Sequence, residues 1–264
     1  MDFAEFFSDF SVATILLLAG FSFLAGLIDS IVGGGGLIQL PALLINLPQT
    51  PVLTIFGTNK IGSLAGTSIA AISYSRKIKF DFSLLFVISF FAFVSAYFGA
   101  KIVSYIPVDA LKPIILCILI AIAVFTLIKK DLGAVATKSL SQTKKLIYGS
   151  LAACVIGFYD GFFGPGTGSF FVLAFVLILG FEFLQATAYT KIVNCATNIS
   201  ALIVFIREGN YILELAILVA FFNIIGSFIG SHLAIKKGNG FIRLTFLIIV
   251  LMMIRRYSYD IFLE

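Results

Sequence analysis

With 264 residues, 60% of them hydrophobic and 12% charged, and a mean hydropathy of +1.12, the chain is not an ordinary soluble domain, where about a quarter of residues are charged. The net charge of +5 is no nucleic-acid footprint, because Lys and Arg lie mainly in short loops between apolar runs, where they set topology in a bilayer. Those runs have helical length and lack the alternating segments of an outer-membrane barrel, so the predicted class is all-α and polytopic.

The acidic start, Met1 to Asp9, lacks the basic beginning of a signal peptide. The first apolar element runs from Val12 to Val32, long enough to cross about 30 Å of hydrocarbon at ~1.5 Å per residue. Gly33, Gly34, Gly35 and Gly36 break it. A short apolar piece, Leu37–Leu47, follows and is closed by Pro48 and Pro51. It is too short to span, and is predicted to be a short or re-entrant partner that returns the chain to its starting side. Val52–Tyr74, Phe82–Tyr105 and Val108–Ile128 are predicted spans, joined by Arg76–Lys79 and a turn at Pro107–Asp109. Lys129–Lys145 carries five lysines and forms a boundary. The plan then recurs as Leu146–Phe163, a short Ser169–Leu179, Gln185–Ile206, Tyr211–Ile235 and Phe241–Ile254. The predicted organisation is a first membrane repeat over 1–130, a cytoplasmic linker over 131–144 and a second repeat over 145–264.

The recurrence is visible residue by residue. Gly26-Leu-Ile-Asp29-Ser30-Ile-Val-Gly33-Gly34-Gly35-Gly36 returns as Gly157-Phe-Tyr-Asp160-Gly161-Phe-Phe-Gly164-Pro165-Gly166-Thr167-Gly168-Ser169, 131 positions later. The same shift pairs Asp29 with Asp160, Lys60 with Lys191, Arg76 with Arg207 and Gly99 with Gly230. Five elements per unit, an odd number, predict inverted repeats. Arg76–Lys79, Lys129–Lys145 and Lys236–Arg243 then share the cytoplasmic side of the cell inner membrane, with both termini periplasmic. A four-element unit, counting the glycine break as a kink, fits the charges almost as well; element length favours five.

Non-helical backbone at membrane depth must be buried in protein or line a wet cavity, since lipid leaves its polar groups unsatisfied. Glycine breaks at matching places in two repeats therefore point to a transport site. Helices starting after Gly33–Gly36 and after Gly164–Gly168 aim free N–H groups and a positive dipole end into the gap, which suits an anion. Thr167 and Ser169 add hydroxyls. The competing reading is close helix packing at small residues.

Asp29 and Asp160 precede Gly33 and Gly164 by one helical turn in apolar context, where an ionised carboxylate costs at least ~2.5–3.5 kcal/mol. Each needs a partner or a proton. Lys60 and Lys191 are as isolated. Each lysine adds charge to an anion path, or each Asp–Lys pair exchanges partners during transport, and protons through Asp29 or Asp160 are the first candidates for ion coupling; the alternatives are a permanent ion pair within each repeat or snorkelling lysines. Asn59, Ser63 and Thr67 form a stripe at helical spacing, which the shift matches to Thr190, Asn194 and Asn198. Asn59 is a candidate substrate contact, and Asn194 and Asn198 are the favoured ones, because idle amides are costly to bury; joining helices is the alternative. Ser95 and Gly99, matched by Gly226 and Gly230, are predicted to pack helices. His232 is predicted at a membrane interface, and Cys117, Cys154 and Cys195 as small buried hydrophobes. No catalytic residues, metal ligands or cofactor are expected.

On Gly26–Leu37 with Pro41, Thr58-Asn59-Lys60 and Gly157–Ser169, the chain resembles the TauE/SafE family of sulfite and organosulfonate exporters, over essentially its full length. The resemblance implies an inner-membrane transporter of small, often sulfur-containing anions. The expected function is a secondary transporter of a small anion working by alternating access, with the substrate and the lipid bilayer as partners and no nucleic acid. Whether two copies pair as a homodimer is left open, as are a channel-like anion pore and a membrane subunit without transport of its own.

Overall fold

The computed structural model describes residues 10–103 and 140–262, with side chains beyond 248 described only at Leu251. The predicted span Val108–Ile128, with Cys117, and the linker as far as 139 lie outside these residues.

The regular elements are helices. Helix α1, Val12–Val32, starts at Ser11, whose Oγ accepts from the Thr14 N–H at 3.1 Å, and stops at Gly33, whose φ of 82° lies in the left-handed region that favours glycine. The short α2, Gly36–Asn46, follows, then α3, Val52–Ser75, and α4, Phe82–Ile102. Asp81 caps α4 by accepting from the Leu84 N–H, and a second donor, Gln142, bonds its other oxygen at 2.7 Å. These two donors hold the Asp81 carboxyl below the usual carboxylate range.

Helix α5, Gln142–Phe162, ends at the second glycine break. Helix α6, Thr167–Ala174, continues as a π-helical turn over Phe175–Leu179. Helix α7 spans Phe183–Arg207, and α8 runs Leu213–Phe262 through a non-helical Gly238, with φ 71° and ψ −162°. That kink falls in the basic stretch predicted to separate the last two spans. Helix α5 begins at Gln142, inside the stretch expected to be linker. Ser141 provides an extended N-cap there, and Gln142 is anchored to Asp81, so the polar first turn has a reason to be helical.

Among the described residues, four helices are long and apolar enough to cross a membrane: α1, α4, α7 and the part of α8 up to Ile248. Their outer faces are apolar, as at Phe82, Phe86 and Phe90 along one side of α4. Polar side chains are turned inward, which is the arrangement a lipid surround requires. Helices α2 and α6 are shorter apolar helices, too short to span at ~1.5 Å per residue.

The centre is formed by α3 and α7, packed on each other. Helix α8 lies on α3 and on α1, while α4 lies on α7 and on α5. A shift of 131 residues exchanges one half of this arrangement for the other. It also carries one polar anchor onto another: the Asp81 N–H donates to Tyr189 Oη at 2.7 Å, and the Ile212 N–H donates to Thr58 Oγ1 at 3.0 Å.

Close packing depends on backbone-to-backbone approach. A Cβ on Gly99 of α4 would lie 2.1 Å from the Phe158 carbonyl of α5. At its counterpart, Gly230 of α8, a Cβ would lie 2.3 Å from the Leu27 carbonyl of α1. Ser95, Gly99, Gly226 and Gly230 thus sit at helix contacts, as their spacing predicts. Gly99→Ala is expected to destabilise the protein by about 1–3 kcal/mol, because backbone cannot move aside. Gly20, with nothing within 4 Å of its Cβ position, should tolerate or gain from the same change. Thermal unfolding of both variants in detergent checks this; equal effects at the two sites would contradict the packing account.

Candidate functional site

The two glycine breaks meet. A Cβ on Gly33 would lie 2.3 Å from the Gly168 backbone, and one on Gly36 3.3 Å from Pro165 Cα. Across this contact the Ser169 N–H donates to the Gly33 carbonyl at 3.2 Å, and Ser169 Oγ donates to the Val32 carbonyl at 3.0 Å. Gly33, Gly164 and Gly166 have φ of 82°, 91° and 82°, a conformation that side chains rarely tolerate.

Beside this contact lies a polar cavity of about 30 Å³, room for about two water molecules. The breaks contribute Gly33, Gly36, Gly164, Gly166, Thr167 and Gly168 to its wall. Helix α3 contributes Asn59, Lys60, Ser63 and Thr67; α7 contributes Asn194 and Asn198; Asp29 and Asp160 complete the lining. Matching positions of the two halves therefore share one space. The N–H groups of Gly36, Gly166 and Gly168 have no partner among the described residues, so the starts of α2 and α6 keep free donors at the cavity.

The charges pair across the halves. Lys60 Nζ donates to Asp160 Oδ1 at 2.7 Å, and Lys191 Nζ donates to Asp29 Oδ2 at 3.0 Å and to the Asp29 carbonyl. The expectation of an ion pair inside each repeat gives way to two pairs between repeats, related by the 131-residue shift. Snorkelling gives way too, since Lys60 is 5% exposed and Lys191 fully buried. The reason is proximity: α3 and α7 cross at the centre, so each lysine reaches the break of the other half.

Several buried oxygens have no hydrogen-bond donor: Asn59 Oδ1, Asn194 Oδ1 and Asp160 Oδ2 line this site, and Thr190 Oγ1 lies on α7. The Asn198 side chain also makes no bond among the described residues. Buried polar groups are normally satisfied, so a concentration of idle ones marks a place that water or a ligand completes. Thr167 Oγ1 donates to the Gly164 carbonyl at 2.6 Å, and Thr67 Oγ1 donates to Asp29 Oδ2 at 3.2 Å, so both hydroxyls brace the breaks.

Not every predicted site residue reaches the cavity. Gly34 and Gly35 stand outside the lining; a Cβ on Gly35 would meet the Ala25 carbonyl at 2.5 Å, which makes it a packing position. Ser169 is spent on the contact between breaks, and Lys191 lies behind Asp29. His232 is on the surface side of α8, its ring 4.3 Å from that of Phe228. Cys154 and Cys195 are free thiols, half-buried rather than buried. No metal-binding cluster of His, Cys, Asp or Glu occurs among the described residues.

Sequence reasoning missed a second polar cluster. Asn223 Nδ2 donates to Gln39 Oε1 at 2.9 Å, Gln39 Nε2 donates to Ser22 Oγ at 3.2 Å, and Ser227 Oγ donates to the Gly26 carbonyl at 3.1 Å. The 131-residue shift replaces Gln39 by Phe170 and Asn223 by Ala92, so the cluster has no counterpart in the duplication.

Fold and site thus define a polytopic membrane protein whose two glycine breaks border a charged cavity. The chain belongs to the family described as Sulfite exporter TauE/SafE, whose profile matches residues 18–257. It is 38% identical over 222 residues to a probable membrane transporter protein, ORF9, of Sinorhizobium sp, covering 84% of each chain. It is 34% identical over 261 residues to the probable membrane transporter protein YfcA of Escherichia coli K12, covering 97% of this chain and 94% of that one. A probable membrane transporter protein of Haemophilus influenzae is 31% identical over 252 residues, with 96% and 97% covered. No solved structure matches the chain. Membership of this family, with relatives named probable membrane transporter proteins, supports a membrane transporter.

The buried pairs set a stability test. Lys60→Ala leaves Asp160 buried without its cation and is expected to cost about 3–5 kcal/mol, while Lys60→Ala with Asp160→Ala should recover most of that loss. Unfolding of the single and double variants measures it. A single variant as stable as the parent would show that the pair does not hold the halves together.

Proposed function

We propose that the protein is a secondary transporter of a small anion, such as sulfite, a sulfonate or a related organic anion, across the bacterial cytoplasmic membrane. One observation carries the reading: a cavity between the halves joins free helix-start N–H groups, the Lys60 ammonium and unbonded amides of Asn59, Asn194 and Asn198. An oxyanion offers acceptors to each of these donors, and an amide can turn its NH₂ end toward it. Family membership supports the sulfur-containing class, since the family description names a sulfite exporter.

The exchange of contacts under the 131-residue shift supports two inverted repeats that move against each other about this cavity, with the shared charges as the pivot. In that arrangement the basic loops are cytoplasmic and both termini periplasmic. A channel-like pore is the weaker reading, because the breaks are in van der Waals contact and the cavity holds about two waters.

Binding tests the reading. Purified protein titrated with sulfite, small sulfonates and small carboxylates should be stabilised by one class. At a hundredfold excess over Kd the gain is about 2.7 kcal/mol, or roughly 5–10 °C in Tm. Gly166→Val places a β-branched residue at φ 82° in the cavity wall and is expected to insert in the membrane yet lose both the stabilisation and transport in liposomes. Normal transport by that variant would remove the site from the glycine breaks, and uncoupled anion current from the parent would favour the pore.

A further inference from the structure

The two ion pairs are equivalent by sequence and unlike in what they leave open. Asp29 Oδ2 accepts from both Lys191 and Thr67, and Lys191 is held a second time by the Asp29 carbonyl. Asp160 has one partner, Lys60, on Oδ1, and its Oδ2 is buried without any donor. Lys60 lines the cavity and Lys191 does not. The missing side chain of Gly164 matters here: a Cβ there would stand 3.3 Å from Lys60 Nζ and 3.4 Å from Asp160 Oδ1, so glycine leaves this pair approachable.

Charge counting then constrains what can enter. Two lysines and two carboxylates already balance, so a monoanion brings a negative charge that nothing present neutralises, and an uncompensated buried charge is strongly unfavourable. At the same time the cavity wall holds three acceptor oxygens that lack a hydrogen: Asp160 Oδ2, Asn59 Oδ1 and Asn194 Oδ1. A proton on Asp160 would balance the added charge and give its own Oδ2 the hydrogen it lacks.

We propose that Asp160, and not its counterpart Asp29, is the proton site that couples transport. The inference rests on the anion-site reading above. As the anion engages Lys60, the Asp160 carboxylate binds one proton from the aqueous side, so one proton and one negative charge occupy the cavity together and leave it together. Coupling is then electroneutral for a monoanion.

The surroundings single out Lys60 as the cation that controls Asp160. Helix α5 packs against α4, α6 and α7. Helix α6 carries no ionisable side chain. Helix α4 carries Tyr97 and Lys101, with the ammonium 4.9 Å from the Tyr97 ring centre. On α7, Lys191 is committed to Asp29, Tyr189 Oη accepts from the Asp81 N–H, Cys195 Sγ lies 3.8 Å from Ser68 Oγ, and Arg207 ends the helix. Of the cations near the cavity, Lys60 from α3 is the one in contact with Asp160.

The test uses the full-length protein in detergent, lightly buffered near neutral pH and titrated with methanesulfonate, whose own group does not titrate there. The wild type should take up one proton per anion bound, with Kd rising about tenfold per pH unit on the alkaline side. Asp160→Asn should bind with no proton uptake and with an affinity independent of pH, while Asp29→Asn keeps the uptake. Should Asp160→Asn fail to fold, Asp29→Asn decides: uptake that persists there supports Asp160, and uptake lost there overturns it. Binding without proton uptake, uptake that persists in Asp160→Asn, or affinity that follows sodium instead would overturn the proton site and leave the anion site standing. No binding of methanesulfonate, sulfite or acetate by the wild type would overturn both.

Discussion

Four buried charges, paired two by two across the halves of the molecule, are the constraint on which the rest of the structure depends. Each carboxylate belongs to a helix that stops at a glycine break, and each lysine to the central helix of the other half. Removing such charges from water costs several kcal/mol per ion unless the geometry recovers it. The recovery is visible at 2.7 Å and 3.0 Å, with Thr67 and the Asp29 carbonyl adding further bonds on one side. The glycine runs make this possible, because only residues without side chains let the two breaks approach to backbone contact at Gly33 and Gly168.

Much of the fold was legible in the chain. Val12–Val32 was expected with the bounds it has, because an apolar run of spanning length fills it and the glycines from Gly33 on break it. The duplication was legible because glycine, aspartate and lysine recur at one spacing in an otherwise apolar text. Which residues touch was not. A repeat states that Lys60 resembles Lys191, and says nothing of whether either meets the aspartate of its own half. That depends on α3 and α7 crossing, a fact of packing rather than of pattern. Lys191, Gly34, Gly35 and Ser169 were expected at the cavity on the same symmetry and are used instead for pairing and packing. Gln39 and Asn223 escaped notice because the cluster has no second copy to announce it.

That departure from symmetry gives the molecule two unlike sides. On one, Gln39, Asn223, Ser22 and Ser227 tie α2 to α1 and α8 by polar bonds. On the other, the corresponding helix α6 is packed by aromatic rings, with Tyr159, Phe163 and Phe170 in edge and tilted contacts and the Tyr159 hydroxyl donating to the Pro165 carbonyl at 2.8 Å. The ion pairs follow the same division: both aspartates line the cavity, but several bonds join Asp29 to Lys191 and Thr67, and one joins Asp160 to Lys60.

The account stands on the cavity between the halves being wet and open to a small anion. Its most direct measurement is the reactivity of a cysteine placed at Asn194, in protein whose native cysteines are replaced, toward a charged water-borne thiol reagent applied from either side of the membrane. The account predicts labelling, slowed by the transported anion. A folded protein whose Asn194→Cys thiol stays unreactive from both sides would contradict it.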